Sequence, residues 1–498
     1  MSSDSAVELP ALVGGAAYGV PSLAVHDPAH RDVVVGLTVA SDQALVDRAV
    51  RAAAKAGSGW AARAADERAD ALRGAAAVAA ADFEATAQLL TAEQGKVLWE
   101  SRLDVAAAPY LLHVAAGLAG QAAEEGVVRD ERGTFLRRRR PIGVVAVIVP
   151  WNYPIVLALN AVAPALAAGN TVVVKPPELA PLALGQVLSA LAGALPPGVL
   201  NVCPGTGPDT GEALVAHPLV RKVMFTGGVA SGRQVMRMAS DHVAGVALEL
   251  GGNDPALVLE DASIDDRLLR QLRQAIFTCS GQICYAVKRI YVHRARHDEL
   301  VEGLCDVVDE IAVGDGRDPR STIGPLIDER SLRRVRTLVD QAERAGAAVR
   351  VLGHRVDPEG WHDGHFMRPR VVSALPHDSP LVAAEQFGPA IPVVAFDSEA
   401  QAVAMANDSE YGLAASVWSD DVDGAFAVAR KVEAGTVFIN VHRVGASDHT
   451  TPFGGVKQSG IGRGNGWASI EELTELQMLI HRADAEHLPG PPAISGRH

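Results

Sequence analysis

The sequence predicts an α/β fold with two doubly wound parallel-sheet domains. Three observations carry this. Short β-branched runs alternate with helix-length Ala/Leu-rich segments from residue 143 to 249, and again from 255 to 440. The run Gly143 to Val149 is continuously apolar, as a strand buried on both faces must be. The chain has 498 residues, 48% hydrophobic but only 4% aromatic, so its core is aliphatic and large enough to need no disulfide or metal staple.

The first series reads in order. After the strand at 143–149, residues 155–168 form a helix that ends at Gly169-Asn170. Strands follow at 171–174, 198–202, 222–225 and 246–249, separated by helices near 182–195, 209–216 and 231–240. The second series has strands at 255–259, 289–292, 390–395 and 437–440. Its helices lie near 266–278, 298–311 and 331–345, the last with Ser331 as N-cap. The two series meet at Gly251-Gly252. Before the first, residues 42–90 read as Ala-rich helix, and from residue 483 the tail is polar and Pro/Gly-rich, hence mobile.

Composition also excludes some functions. The formal net charge is −14, which argues against nucleic acid, whose phosphates need a basic face. The basic run Arg137 to Arg140 reads as a solvated or subunit-contacting strand end. Four cysteines without a CxxC pair fit a reducing cytoplasm and no zinc or other metal site. The N-terminal segment has no basic-then-apolar signal pattern. Residues 141–174 run 34 positions without a charge, but prolines and asparagines punctuate them. They read as strand, helix and strand rather than a membrane span.

Several residues suggest chemistry. Cys284 follows a helix and a Gly281 turn, where a thiol can face a cleft; the plain alternative is a small buried hydrophobe. Glu249 ends a buried strand beside two glycines, where burial would raise its pKa and suit a general base; the alternative is a salt-bridged carboxylate. Asn152 lies just past a strand end between Pro150 and Pro154, as an oxyanion donor or an Asx turn. Lys175 and Glu178 could hold ribose hydroxyls, and Gly227 to Gly232 opens a helix whose N–H groups could face pyrophosphate.

Taken in order, PWNYP, KPPE, FTGGVASG, LELGG, SGQIC, EQFGP and PFGGVKQSGIGR resemble the aldehyde dehydrogenase superfamily, from about residue 20 to 482. The resemblance implies an NAD-dependent aldehyde dehydrogenase. Cys284 would be the nucleophile, Asn152 and the Cys284 N–H the oxyanion hole, and Glu249 the base that hydrolyses the thioester. Pro150, Trp151, Lys175, Glu178, Gly227, Gly228, Gly232, Leu250, Glu385 and Phe387 would hold NAD, with Lys175 and Glu178 on the adenosine ribose and Glu385 on the nicotinamide ribose. It implies an NAD-binding domain (1–121 and 141–251), a catalytic domain (252–466) and a small β oligomerisation element (122–140 and 467–482). A homodimer or homotetramer would pair residues 473–480 across subunits. The expected partner is a small-molecule aldehyde, with no membrane or nucleic acid.

Four positions depart from the family pattern: Pro177, Gly228, Cys279 and Gly464, the last where a carboxylate is usual. Cys279 raises the prospect of a disulfide to Cys284, which sequence spacing does not establish. A CoA-acylating semialdehyde dehydrogenase is disfavoured because such members generally lack the base at Glu249. A catalytically silent member is disfavoured by the intact Cys284, Asn152 and Glu249. A polar or charged aldehyde is suggested by His442, Arg443, Asp448 and His449, which alternatively face solvent.

Overall fold

The structure, a computed structural model, describes residues 7–446 and 448–483; the expected mobile tail therefore lies outside the described residues beyond 483. An eight-stranded sheet and a seven-stranded sheet account for both predicted series. In the first, Gly245–Glu249, Val220–Thr226, Val144–Ile148, Thr171–Lys175 and Leu200–Val202 run parallel in that spatial order. Gly460–Ile461 closes one edge antiparallel, and Ala11–Val13 continues the other.

Alternation explains the unbroken apolar runs. Val145 and Val147 enter one core with the helix Pro154–Ala167, while Val144, Ala146 and Ile148 enter another with the helix Gln43–Ala61. Both faces are therefore covered, so no position on the strand can be polar. The second sheet repeats this: Ala256 and Val258 face one core, Leu257 the other. Gly251 and Gly252 lie between the last parallel strand of the first sheet and Asp254–Val258 of the second. A Cβ on Gly252 would come within 2.7 Å of the Cys284 carbonyl oxygen, so the two sheets meet through bare backbone.

The third sheet is antiparallel: Gly126–Asp130 pairs with Gly133–Pro141, which pairs with Thr474–Arg482. The segment expected to pair across subunits thus takes its partner from its own chain, on the strand that carries Arg137 to Arg140. Its other edge is unpaired among the described residues.

Several expectations are corrected. The helix expected to be capped by Ser331 is Glu329–Arg344, capped by Asp328, whose carboxylate accepts from the Ser331 N–H at 2.7 Å. The expected helix at 209–216 is a wide π-type turn, Gly207–Gly211, followed by the short helix Glu212–Val215. Residues 7–38, unassigned in sequence, carry short strands ending in Leu23–Asp27 and His30–Thr38. The 25-residue helix Leu98–Ala122 likewise has no counterpart among the sequence expectations. It is apolar and long enough to cross a membrane, but it buries Val105, Ala108, Leu112, Ala115 and Ala119 in the first core.

Candidate active site

The parallel strands of the first sheet deliver their carboxyl ends to one region, where open α/β sheets place their ligands. Asn152, Lys175, Gly227 and Glu249 all occur at or just past such ends. Asn152, Glu249 and Cys284 line one cavity of about 150 Å³.

Cys284 reaches it through a strained turn. The helix Asp266–Phe277 stops, and Cys279, Ser280 and Gly281 then take left-handed φ values of 52°, 56° and 76°. Non-glycine residues there are costly and persist only when their surroundings over-determine them. The Cys279 N–H donates to the Glu100 carboxylate at 2.6 Å, and Ser280 Oγ donates to the Gly324 carbonyl at 2.8 Å. Gln282 Oε1 accepts from the Ile327 N–H at 3.0 Å. Cys279 and Cys284 are free thiols. Burial pushes the Cys284 thiol up to about 12; Lys288 opposes the shift, and the Glu249 charge adds to it. Lys288 Nζ donates to the carbonyls of Ile283 and Cys284 at 2.6 and 2.7 Å, and so clamps the nucleophile's turn.

The Asn152 side chain donates through Nδ2 to the Gln282 carbonyl at 2.9 Å, and its Oδ1 accepts from the Tyr153 N–H at 3.0 Å. An amide nitrogen carries two hydrogens, so one remains for a ligand. The Cys284 N–H makes no hydrogen bond among the described residues. Burial raises Glu249 to about 8, with Arg463 pulling against it. A Cβ on Gly454 would come within 2.9 Å of its Oε1, so glycine leaves that carboxylate its room.

The expected cofactor groups also converge. Burial lowers Lys175 to about 8 against the pull of Glu178, and among the described residues its Nζ donates only to the Pro176 carbonyl, at 3.1 Å. The Glu178 carboxylate accepts weakly from the Gly207 N–H at 3.4 Å. Gly228 caps the helix Val229–Ser240 with open space about its Cα. The Gly227 N–H donates to the Glu249 carbonyl at 3.0 Å, and a Cβ on Gly232 would strike Leu250 at 2.5 Å, so the helix packs directly on that residue. Leu250 is held by its N–H to the Ser459 carbonyl at 2.8 Å. Glu385 accepts from the Gly252 N–H at 3.0 Å. Phe387 meets Trp151 edge-to-face at 5.7 Å, next to the half-buried Pro150. Helix N–H groups for a pyrophosphate, carboxylates for two riboses and an aromatic wall fit a dinucleotide.

The polar segment at 441–451 divides. His442 is buried away from the cavity, bonded to Ser416 and to the Tyr285 carbonyl, and Arg443 and Asp448 are exposed. Of the four, only His449 lines the cavity. Sequence reasoning missed Lys96, Lys288 and Glu100, because a buried charge carries no local pattern.

The model of the "Aldehyde dehydrogenase family" matches residues 17–479. The chain belongs to the aldehyde dehydrogenase family. The 2-aminomuconic semialdehyde dehydrogenase of Bos taurus is 35% identical over 441 residues, 87% of this chain and 90% of that protein. The betaine aldehyde dehydrogenase of Staphylococcus aureus, solved with NAD+, superposes at TM-score 0.89 and 32% identity, over 95% of this chain and 94% of that one. An aldehyde dehydrogenase of Bacillus cereus, also solved with NAD+, gives TM-score 0.90 and 32% identity, over 96% and 97%. This aldehyde dehydrogenase is therefore an oxidoreductase acting on aldehyde groups with a nicotinamide cofactor.

Proposed function

We propose that this dehydrogenase uses NAD in preference to NADP and releases a free carboxylic acid. The observation that carries this reading is that Cys284, Asn152 and Glu249 line a single cavity. The buried thiol is protonated at rest, so its proton must leave to solvent as sulfur bonds to the aldehyde carbon, which keeps the Glu249 carboxylate for the hydrolytic step. The oxyanion that forms is held by the spare Asn152 N–H and the Cys284 N–H. A single donor of this kind is worth ~3–4 kcal/mol. The cofactor supplies a hydride acceptor, whose use leaves a thioester on Cys284. Glu249 then takes a proton from water, and the resulting hydroxide displaces the acid and regenerates the thiol.

Lys175, Glu178, Gly227, Gly228, Gly232 and Leu250 hold the adenosine and pyrophosphate end, and Pro150, Trp151, Glu385 and Phe387 the nicotinamide end. Glu178 favours NAD, because a carboxylate accepts from a 2′-hydroxyl and repels a 2′-phosphate. Residues 1–121 and 141–251 form the cofactor domain, 252–466 the catalytic domain, and 122–140 with 467–482 an element that joins subunits into a homodimer or homotetramer. Four free cysteines suit the cytoplasm. NADH formation with a panel of aldehydes tests the reading. Turnover with NAD, without CoA, and with acid as product is expected. A clear NADP preference, or a requirement for CoA, overturns it.

A further inference from the structure

The helix Pro154–Ala167 forms one wall of the cavity, through Val156, Leu157, Asn160 and Ala161. Tyr153, at its N-cap, stands at the reacting end beside Asn152. Asn160 is seven residues further on, roughly 10 Å along the axis at 1.5 Å per residue. The cavity lining also includes the apolar Val147, Val149, Met224 and Leu157.

At the far end the chemistry changes. Asn160, His449 and Asn465 line the cavity together, and the same three also line a smaller cavity behind it. They are therefore a polar wall shared by two cavities. No side-chain hydrogen bond of Asn160 occurs among the described residues. His449 Nδ1 is buried and has no partner there either, although the ring packs edge-on against Tyr110 at 5.8 Å. Burial lowers the His449 pKa, with Asn465 and Asp448 opposing, so the ring is neutral near pH 7. A buried polar atom left without a partner is costly, and a ligand group that satisfies it binds more tightly than one that does not.

We propose that Asn160, His449 and Asn465 form a specificity subsite for aldehydes ending in a hydrogen-bonding carbonyl group, a carboxylate or carboxamide, on a chain of about six carbons that includes the reacting carbon. The length follows from the ~10 Å span, less one terminal hydrogen bond of ~2.9 Å. The subsite recognises hydrogen bonding and not charge, because its three side chains are neutral. It rests on the proposed reaction at Cys284 and adds the substrate class to it.

The test compares kcat/KM for hexanal, 6-oxohexanoate and 6-oxohexanamide in the wild type, Asn160→Leu and His449→Phe. Both polar-ended substrates are expected to exceed hexanal at least tenfold, and each substitution is expected to bring the ratios close to one. Circular dichroism verifies that the variants fold, and if His449→Phe does not, Asn160→Leu decides alone. Hexanal equal to or better than the polar-ended substrates overturns the proposal. So does a preference that survives substitution. A gain for the acid but not the amide overturns it too, by assigning recognition to the Arg463 charge. Failure to oxidise any aldehyde would reject the reaction itself, a distinct result.

Discussion

Lys96 Nζ lies 2.9 Å from Asp104 Oδ2 and 2.8 Å from the main-chain carbonyl oxygen of Asn152, with both side chains fully buried. The ammonium also lies 3.9 Å from the centre of the Tyr153 ring. Asp104 uses its other oxygen to accept from the Val156 N–H at 2.8 Å. One ion pair thus holds both the residue that faces the oxyanion and the first turn of the helix behind it.

Lys96→Met should therefore be strongly destabilising. Removing one member of a buried pair strands the other charge, at a cost of ~3–5 kcal/mol. Urea unfolding measures the loss. Lys96→Met with Asp104→Leu should lose much less than the sum of the single changes, because neither charge is then left alone. A strictly additive double variant would show that the pair does not act as a unit.

The Cys284 turn gives a second expectation. A Cβ on Gly281 would come within 2.6 Å of the Gly388 carbonyl oxygen, at a φ of +76°. Gly281→Ala should cost ~1–3 kcal/mol in stability and lower turnover, since Cys284 is three residues on. Gly464 is the control. It lacks a positive φ, and its added Cβ would meet only the Phe453 carbonyl oxygen, at 3.9 Å. Gly464→Ala should stay within ~0.5 kcal/mol of the wild type in thermal unfolding.

The contrast between those glycines also shows how far the sequence can be read. The parallel strands were legible because burial on both faces leaves an unbroken β-branched run, as in Val144–Ile148. The helix Leu98–Ala122 was not: it is apolar around most of its circumference and contains Pro109, so it has neither an amphipathic stripe nor a clean boundary. Asp328 and Ser331 are both capping residue types three positions apart, and local sequence does not separate them. In the site, the residues that meet substrate and cofactor fall in recognisable order along the chain. The residues that hold them, Lys96, Glu100 and Lys288, are single buried charges whose partners lie far away in sequence.

The strand Thr474–Arg482 carries a third expectation, for assembly. Leu476, Met478 and Ile480 are 61%, 50% and 59% exposed and, at alternate positions, share one face of an edge strand. Such an edge is a template for pairing, and lysine on it blocks pairing. Met478→Lys with Ile480→Lys should shift the dehydrogenase toward monomer in sedimentation velocity. A wild type that is monomeric at all concentrations would remove the proposed subunit contact.

The pH profile bears on Glu249 directly. The ionised carboxylate is the form that accepts a proton, and burial raises its pKa to about 8. Below that value most molecules hold the neutral acid, so a rate limited by thioester hydrolysis should climb roughly tenfold per pH unit and level off above about 8. The direction is upward with pH, because raising a base's pKa empties its active form at neutral pH. The Cys284 thiol, near 12, does not titrate in this range. Glu249→Gln should flatten the profile and abolish steady turnover while a first-turnover burst of NADH survives, since acylation would still deliver one hydride. Rapid-mixing kinetics from pH 6 to pH 9 separates the two phases. A steady rate unchanged by Glu249→Gln would assign the hydrolytic base to another group.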